Sequence, residues 1–533
     1  MDRRDASRVV SEGLRAAHLR AVRVSACAGM GAVLLLAGCS TRSDISRAAS
    51  TPLRPLHRED LLWLERTSFG LDTGSVADYR RLGREKFLDR QLHPAQLMLP
   101  APIAAQIAAL EITREGPAQS IAAVNAQYKV INAMPDGSEK EQARKVLNDH
   151  GNKLAYEAIR RDLLRAVYSP AQLQEEMTWF WLNHFSVFQY KANLRWLVGD
   201  YEERAIRPHV FEHFKDLVMA TLQHPAMLQY LDNNQNAAGH INENYARELL
   251  ELHTLGVGGG YSQQDVQELA RVLTGVGINV GDAPRLKPEW QRLYLRSGAF
   301  EFNPARHDFG AKTILGHPIR GQGFGEVEEA VKMIVSQPAC ARFISRELAI
   351  YFVADNPPPI LVERLAQTFM RTDGDIAAVL HTLFMSPELG SSFGAKFKDP
   401  MRFVVSAVRF AYDGKLISNT HPMLNWLNGL GEAPYGRQTP DGYPMTELSW
   451  ASAGQMSRRF EIARIIGMGN AALFDPEDGS AASTAGFPQL ANRLYFEALE
   501  PSLATRTKAA LDRANSQQEW NTFLLSSPDF NYE

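Results

Sequence analysis

Asp232-Asn-Asn-Gln-Asn236 and the run Asn242-Glu-Asn-Tyr-Ala-Arg-Glu-Leu-Leu-Glu251 hold the densest grouping of amides, carboxylates and a cation in the chain. Hard divalent cations take oxygen ligands from carboxylates and amides. Asp232, Asn236, Glu243 and Glu251 are therefore candidate ligands for Ca²⁺ or Mg²⁺. The spacing is not that of an EF-hand, and no Glu-x-x-His or Cys-x-x-Cys points to zinc or di-iron. At about 100° per residue from an N-cap at Asn242, Glu243, Arg247, Glu248 and Glu251 share one helical face, with His253 set apart. Glu248 is then a candidate acid or base oriented by Arg247. The alternative is an Asx-turn loop that caps its own backbone, leading into a solvated face of Glu–Arg pairs worth a few tenths of a kcal/mol each. His253 on that alternative is a hydrogen-bonded core histidine.

Two further groupings could do chemistry. Arg247, Arg271 and Lys312, with the backbone donors of Gly256-Val-Gly-Gly-Gly260 ahead of a helix start, could hold phosphate, sulfate or a sugar acid. The glycine run lacks the Gly-Lys-Ser/Thr of a P-loop, and there is no Gly-x-Ser-x-Gly elbow. Glu176, Asn183 and His184 fall within a sector of about 100° on one aromatic helix, making Asn183 a candidate ligand-binding residue and His184 a candidate proton carrier. His307, beside Asp308, is the other candidate proton carrier.

The elements that must position these groups are helices. Ser169-Pro-Ala-Gln172 predicts a helix start, with Ser169 as N-cap, Pro170 at the first position and Gln172 at the third. That helix runs to about Phe188, its aromatics on all sides. Ser262 and Asp265 have capping-box spacing for a helix to about Gly275. Apolar spacing predicts two or three helices over 101–160, broken near Pro135-Asp-Gly137, and helices at 324–336, 338–353, 360–370 and 375–386. Gln438-Thr-Pro-Asp-Gly-Tyr-Pro444 reads as a turn. Only 276–320 alternates like strands. The expected fold is mainly α: a multi-helical globular domain with at most a short β-hairpin near 300–316, either undivided or in two helical subdomains parting near 280–325.

Composition narrows the setting. The 533 residues carry a net charge of -3 with 22% charged residues, which predicts no nucleic-acid partner. Residues 1–23 include six arginines, Val24–Ala37 is apolar, and Leu36-Ala-Gly-Cys39 reads as a bacterial lipobox. We expect a signal peptide over 1–39, acylation at Cys39, a tether over 40–56 and a domain from 57 to 533. Ser40 in place of an aspartate points to the outer membrane of a Gram-negative cell envelope. Cys340 is then the lone unmodified cysteine, in an apolar helical setting suited to burial.

Several long motifs stand in a familiar order: Trp179-Phe-Trp-Leu-Asn-His-Phe-Ser186, His224-Pro-Ala-Met-Leu-Gln-Tyr-Leu-Asp232, Asn242-Glu-Asn-Tyr-Ala-Arg-Glu-Leu-Leu-Glu-Leu-His-Thr-Leu-Gly256, Ala270-Arg-Val-Leu-Thr-Gly275, His307-Asp-Phe-Gly310 and Lys312-Thr-Ile-Leu-Gly316. From about His57 to the end the chain resembles the bacterial domain-of-unknown-function 1800 family. The resemblance implies an exported, mainly helical protein with no established activity. It also implies an exported partner similar to alkaline phosphatases and sulfatases. It supplies no site residues. Two expectations follow: an envelope enzyme or enzyme subunit acting on a polymer or an anionic ester, or a non-catalytic binding or assembly protein.

Overall fold

Helix-forming periodicity dominates the sequence, and helices dominate the computed structural model, which describes residues 56–114, 116–477 and 487–533. The expected signal peptide, Cys39 and all of the tether except Leu56 lie outside the described residues. Leu53–Glu533 form one unit. Its main hydrophobic core takes residues from Leu61 to Phe530, and a smaller one holds Val124, Ile131, Leu147, Leu154 and Trp196. Phe300, Phe302 and Ile314, from the stretch around 280–325, are part of the main core. No helix among the described residues is long and apolar enough to cross a membrane.

Pro117–Ala133 and Ser138–Tyr168 form an antiparallel hairpin that turns at Met134-Pro-Asp-Gly137. The second helix has 31 residues, about 46 Å at 1.5 Å per residue. Its C-terminal half is buried, and the chain then turns into the aromatic helix.

That helix spans Gln172–His184, starting later and ending earlier than its sequence predicts. Ser169 and Pro170 stand outside it. The Gln172 amide donates back to Ala166 O (3.0 Å) and Ser169 O (2.8 Å), and its oxygen accepts from Phe69 N (3.1 Å). Ser169 Oγ still accepts from Ala171 N (3.2 Å), and the anchoring of Gln172 moves the helix start beyond it. Every residue from Gln172 to Leu182 except Gln174 is buried, each large apolar side chain contributing about 1.5–3 kcal/mol.

The β structure extends beyond a single hairpin. Strands β1 (Val276–Ile278), β2 (Leu295–Ser297) and β3 (Phe300–Phe302) form an antiparallel sheet in the order β1-β3-β2. Gly298, at φ +59°, makes the two-residue turn between β2 and β3. Strands β4 (Thr313–Ile314) and β5 (His317–Pro318) pair separately. The helices Phe324–Val335, Pro338–Phe352, Pro359–Arg371 and Ile376–Phe384 follow closely where apolar spacing puts them. Cys340 is fully buried in the second of these.

Candidate functional site

The Asn-rich loop is built largely to hold itself. Asp232 takes a left-handed conformation (φ +59°) and its carboxylate pairs with Lys191 Nζ at 2.8 Å. Asn233 is buried and donates to Leu273 O (3.3 Å) and Val276 O (3.0 Å). Asn236 is buried too: its Nδ2 donates to Ala270 O (2.8 Å), and its Oδ1 accepts from Asn242 N (3.0 Å). Asn242 Oδ1 accepts from Asn244 N (3.0 Å), so it supports a helix start in which Glu243 holds the N-cap position.

The helix that follows is α only over Asn244–Glu248 and becomes a π-helix over Leu249–Thr254. The 100° step therefore stops applying at Leu249, where each turn takes an extra residue. Glu243 pairs with Arg247 (3.1 Å) and accepts from Gln263 (2.7 Å), while Arg247 donates to the same glutamine (2.9 Å). Asp232, Asn236, Glu243 and Glu251 are thus not brought together. Among the described residues no three His, Cys, Asp or Glu side chains converge as a metal site requires. His209 and His213, at His-x-x-x-His spacing, also part company: a turn separates them, and they face Glu212 (2.6 Å) and Asp373 O (3.0 Å) respectively.

The cations expected to bind an anion are also spoken for. Arg271 forks onto Asp308 (2.9 and 3.2 Å) and Glu268 (3.0 Å), and that guanidinium holds the Asp308 carboxyl down at about 2. Lys312 is buried against Glu326 (2.6 Å). His307 is buried beside them, its Nδ1 donating to Thr274 O (2.7 Å) and its Nε2 lying 3.3 Å from Glu326. Burial raises Glu326, but nearby His307 and the Lys312 hydrogen bond outweigh it and leave its carboxyl below the usual range. The helix start after the glycine run carries its own carboxylate. Asp265 and Ser262 form the expected capping box, and Asp265 also accepts from Leu315 N (2.6 Å).

His184 and Asn183 come together with residues that the sequence pattern does not single out. They line a cavity of about 340 Å³ whose other walls include Leu252 of the π-helix, Phe343 and Glu347 of Pro338–Phe352, and the turn 440–446. Asn183 clamps that turn: Nδ2 donates to Tyr443 O (2.9 Å) and Oδ1 accepts from Tyr443 N (2.6 Å). Gly442, at φ +70°, has room for nothing larger, because a Cβ would lie 2.3 Å from Asn183 O. Gly256 closes the π-helix in the same way, with Phe343 against it.

His184 Nε2 lies 3.0 Å from His253 O. A carbonyl only accepts, so the proton is on Nε2 and Nδ1 keeps its lone pair. Nδ1 has no hydrogen-bond partner among the described residues. Rings of Phe180, Trp181, Phe185 and Phe343 surround the imidazole at centroid distances of 4.7–6.2 Å. Burial pushes its ionisation down to about 4, so it is a neutral base at ordinary pH. Burial raises the Glu347 carboxyl against the pull of Arg346, and raises Glu248, with Glu251 adding to the effect. Glu347 and Asp441 are the acidic residues that line the cavity, Asp441 being held by Arg437 (2.8 Å). No lysine or arginine lines the cavity among the described residues.

His253 is in the core, but both its ring nitrogens lack a hydrogen-bond partner among the described residues. Glu347 lies unmarked in an amphipathic helix. The Pro440-Asp-Gly turn is a visible signal that spacing alone could not connect to Asn183, 260 residues away.

No curated protein and no solved structure matches the chain. A family model matches residues 62–532, nearly the whole of the described unit. The chain belongs to the family described as Protein of unknown function (DUF1800).

Proposed function

We propose that the chain is an exported, lipid-anchored envelope protein that binds a neutral or cationic group over His184, with His184 as base. The carrying observation is the unpartnered Nδ1 of a neutral imidazole on the wall of a 340 Å³ cavity. A general base needs an available lone pair within reach of the proton it takes. A lining with Glu347 and, among the described residues, no lysine or arginine gives little to hold the anionic ester that the sequence also allowed. Envelope placement rests on the lipobox at Cys39, and the phosphatase- or sulfatase-like partner rests on the family resemblance.

The test is a thermal-shift screen of the full chain in detergent against amino sugars, peptidoglycan fragments and short cationic peptides, beside Asp- and Glu-containing peptides. Saturation at 100 times Kd adds about 2.7 kcal/mol. The neutral or cationic probes should raise Tm in the wild type and not in His184→Asn. Equal shifts in both proteins, or shifts from the acidic probes alone, would sink the reading.

A further inference from the structure

The outer side of the Asn-rich loop faces a second cavity, of about 320 Å³, that shares no lining residue with the one over His184. Gln229, Asn234 and Gln235 line it, and their side-chain amides have no hydrogen-bond partner among the described residues. Asn125 and Asn193 also line it, joined by a long 3.3 Å bond. Asp232 supplies the one carboxylate, already neutralised by Lys191 at 2.8 Å. The remaining wall includes the apolar Ile121, Ile278 and Val280.

The amides are presented from a fixed frame. In Asn233-Asn-Gln-Asn236 the first and last side chains are buried and tied to backbone carbonyls of the helix and strand beneath. Arg306 holds Asn234 O (2.8 Å) and Asn236 O (3.3 Å). The middle two side chains are left to the cavity. Two left-handed non-glycine residues, Ala192 (φ +46°) and Asp232 (φ +59°), also form its wall. Backbone strain of this kind clusters at ligand sites. A fixed frame also lowers the ordering cost of binding.

The chemistry of this wall selects a ligand. Each side-chain amide offers both donors and an acceptor, which matches hydroxyl groups that donate and accept in turn. The internal Lys191–Asp232 pair leaves no net charge to attract an ion. The aliphatic strip suits the C–H face of a ring. The volume lies at the small end of the about 300–1,000 Å³ range of small-molecule sites. We propose that this cavity binds a neutral saccharide unit through Gln229, Asn234 and Gln235.

Ligand-observed saturation-transfer NMR on the full chain in detergent tests it. The probes are glucose, N-acetylglucosamine, maltose and chitobiose, beside glucuronic acid and glucosamine as charged counterparts of similar size. At least one neutral saccharide should give transfer that falls at least five-fold in the double variant Asn234→Ala/Gln235→Ala, with Tm unchanged, because neither side chain holds the fold. His184→Asn should leave that signal intact, which separates this site from the one over His184. Transfer from none of the neutral probes, equal transfer in the double variant, or preference for a charged probe would overturn the assignment.

Discussion

His184 is half-buried among aromatic rings, and its ionisation falls from the ordinary 6.5 to about 4. The unfolded chain takes up this proton as pH falls through about 6.5, whereas the folded ring waits until about 4. Between those values the unfolded state binds more protons. The residue's contribution to stability is therefore full above the window and declines as pH drops through it. At about 1.4 kcal/mol per pH unit, the loss is at most about 3 kcal/mol. Glu176, raised by burial to about 7, works in the opposite direction over an overlapping range, so the bare protein mixes the two effects. The difference in unfolding free energy between wild type and His184→Phe, from urea titrations, should shrink by a few kcal/mol between pH 7 and pH 4.5. A constant difference would refute the neutral imidazole. Gly442→Ala meets both a left-handed φ and the Asn183 carbonyl. It should cost about 1–3 kcal/mol and speed exchange of the Tyr443 amide, read by hydrogen-exchange NMR.

At the scale of elements, the Asn-rich loop divides its labour by burial. Asn233→Ala or Asn236→Ala strands carbonyls at the end of Gln263–Val272 or at β1 and should cost about 1–3 kcal/mol each. Asn234→Ala should cost nearly nothing. Calorimetry that ranks Asn234→Ala with the other two would overturn this division. How much of this was legible beforehand follows from range. The Ser262–Asp265 cap depends on residues three apart and is plain in the sequence. The start of the aromatic helix is not, because Gln172 is recruited by Phe69, about a hundred residues away. The wheel placing Glu243 beside Arg247 holds for one turn and fails where the helix becomes π, since no residue type announces that register. The cavity over His184 joins four separate stretches, of which the sequence marked only two.

Across the whole molecule, buried charge ties distant segments together. Arg402 reaches Glu176 (3.2 Å), Glu533 (3.2 Å) and Tyr351 O (2.9 Å), and Glu533 also lies 3.9 Å from Arg66. One guanidinium thus joins the aromatic helix, the helix carrying Glu347 and the last residues of the described chain. Removing it takes from buried Glu176 and Glu533 their nearest cation and leaves Glu176 only the Tyr351 hydroxyl (2.6 Å), so Arg402→Met should cost about 3–5 kcal/mol. A loss below 1 kcal/mol by urea unfolding would show that the carboxylates are satisfied in another way. The mainly helical class and the family match from 62 to 532 were readable from periodicity and motifs. The buried arginines were not, because burial of a charge depends on partners hundreds of residues apart.

Cys340 offers a clock. Its side chain is fully buried, and burial lifts the thiol far above its ordinary ionisation, so the folded protein keeps it unreactive. Alkylation therefore waits for the helix Pro338–Phe352 to open, the same helix that carries Phe343 and Glu347 into the cavity. When reclosing outpaces the reagent, the labelling rate reports the population of the open form rather than the speed of opening. A ligand seated over His184 would slow that rate in proportion to its occupancy. One mass measurement per time point would then follow binding without denaturant, heat or a known reaction.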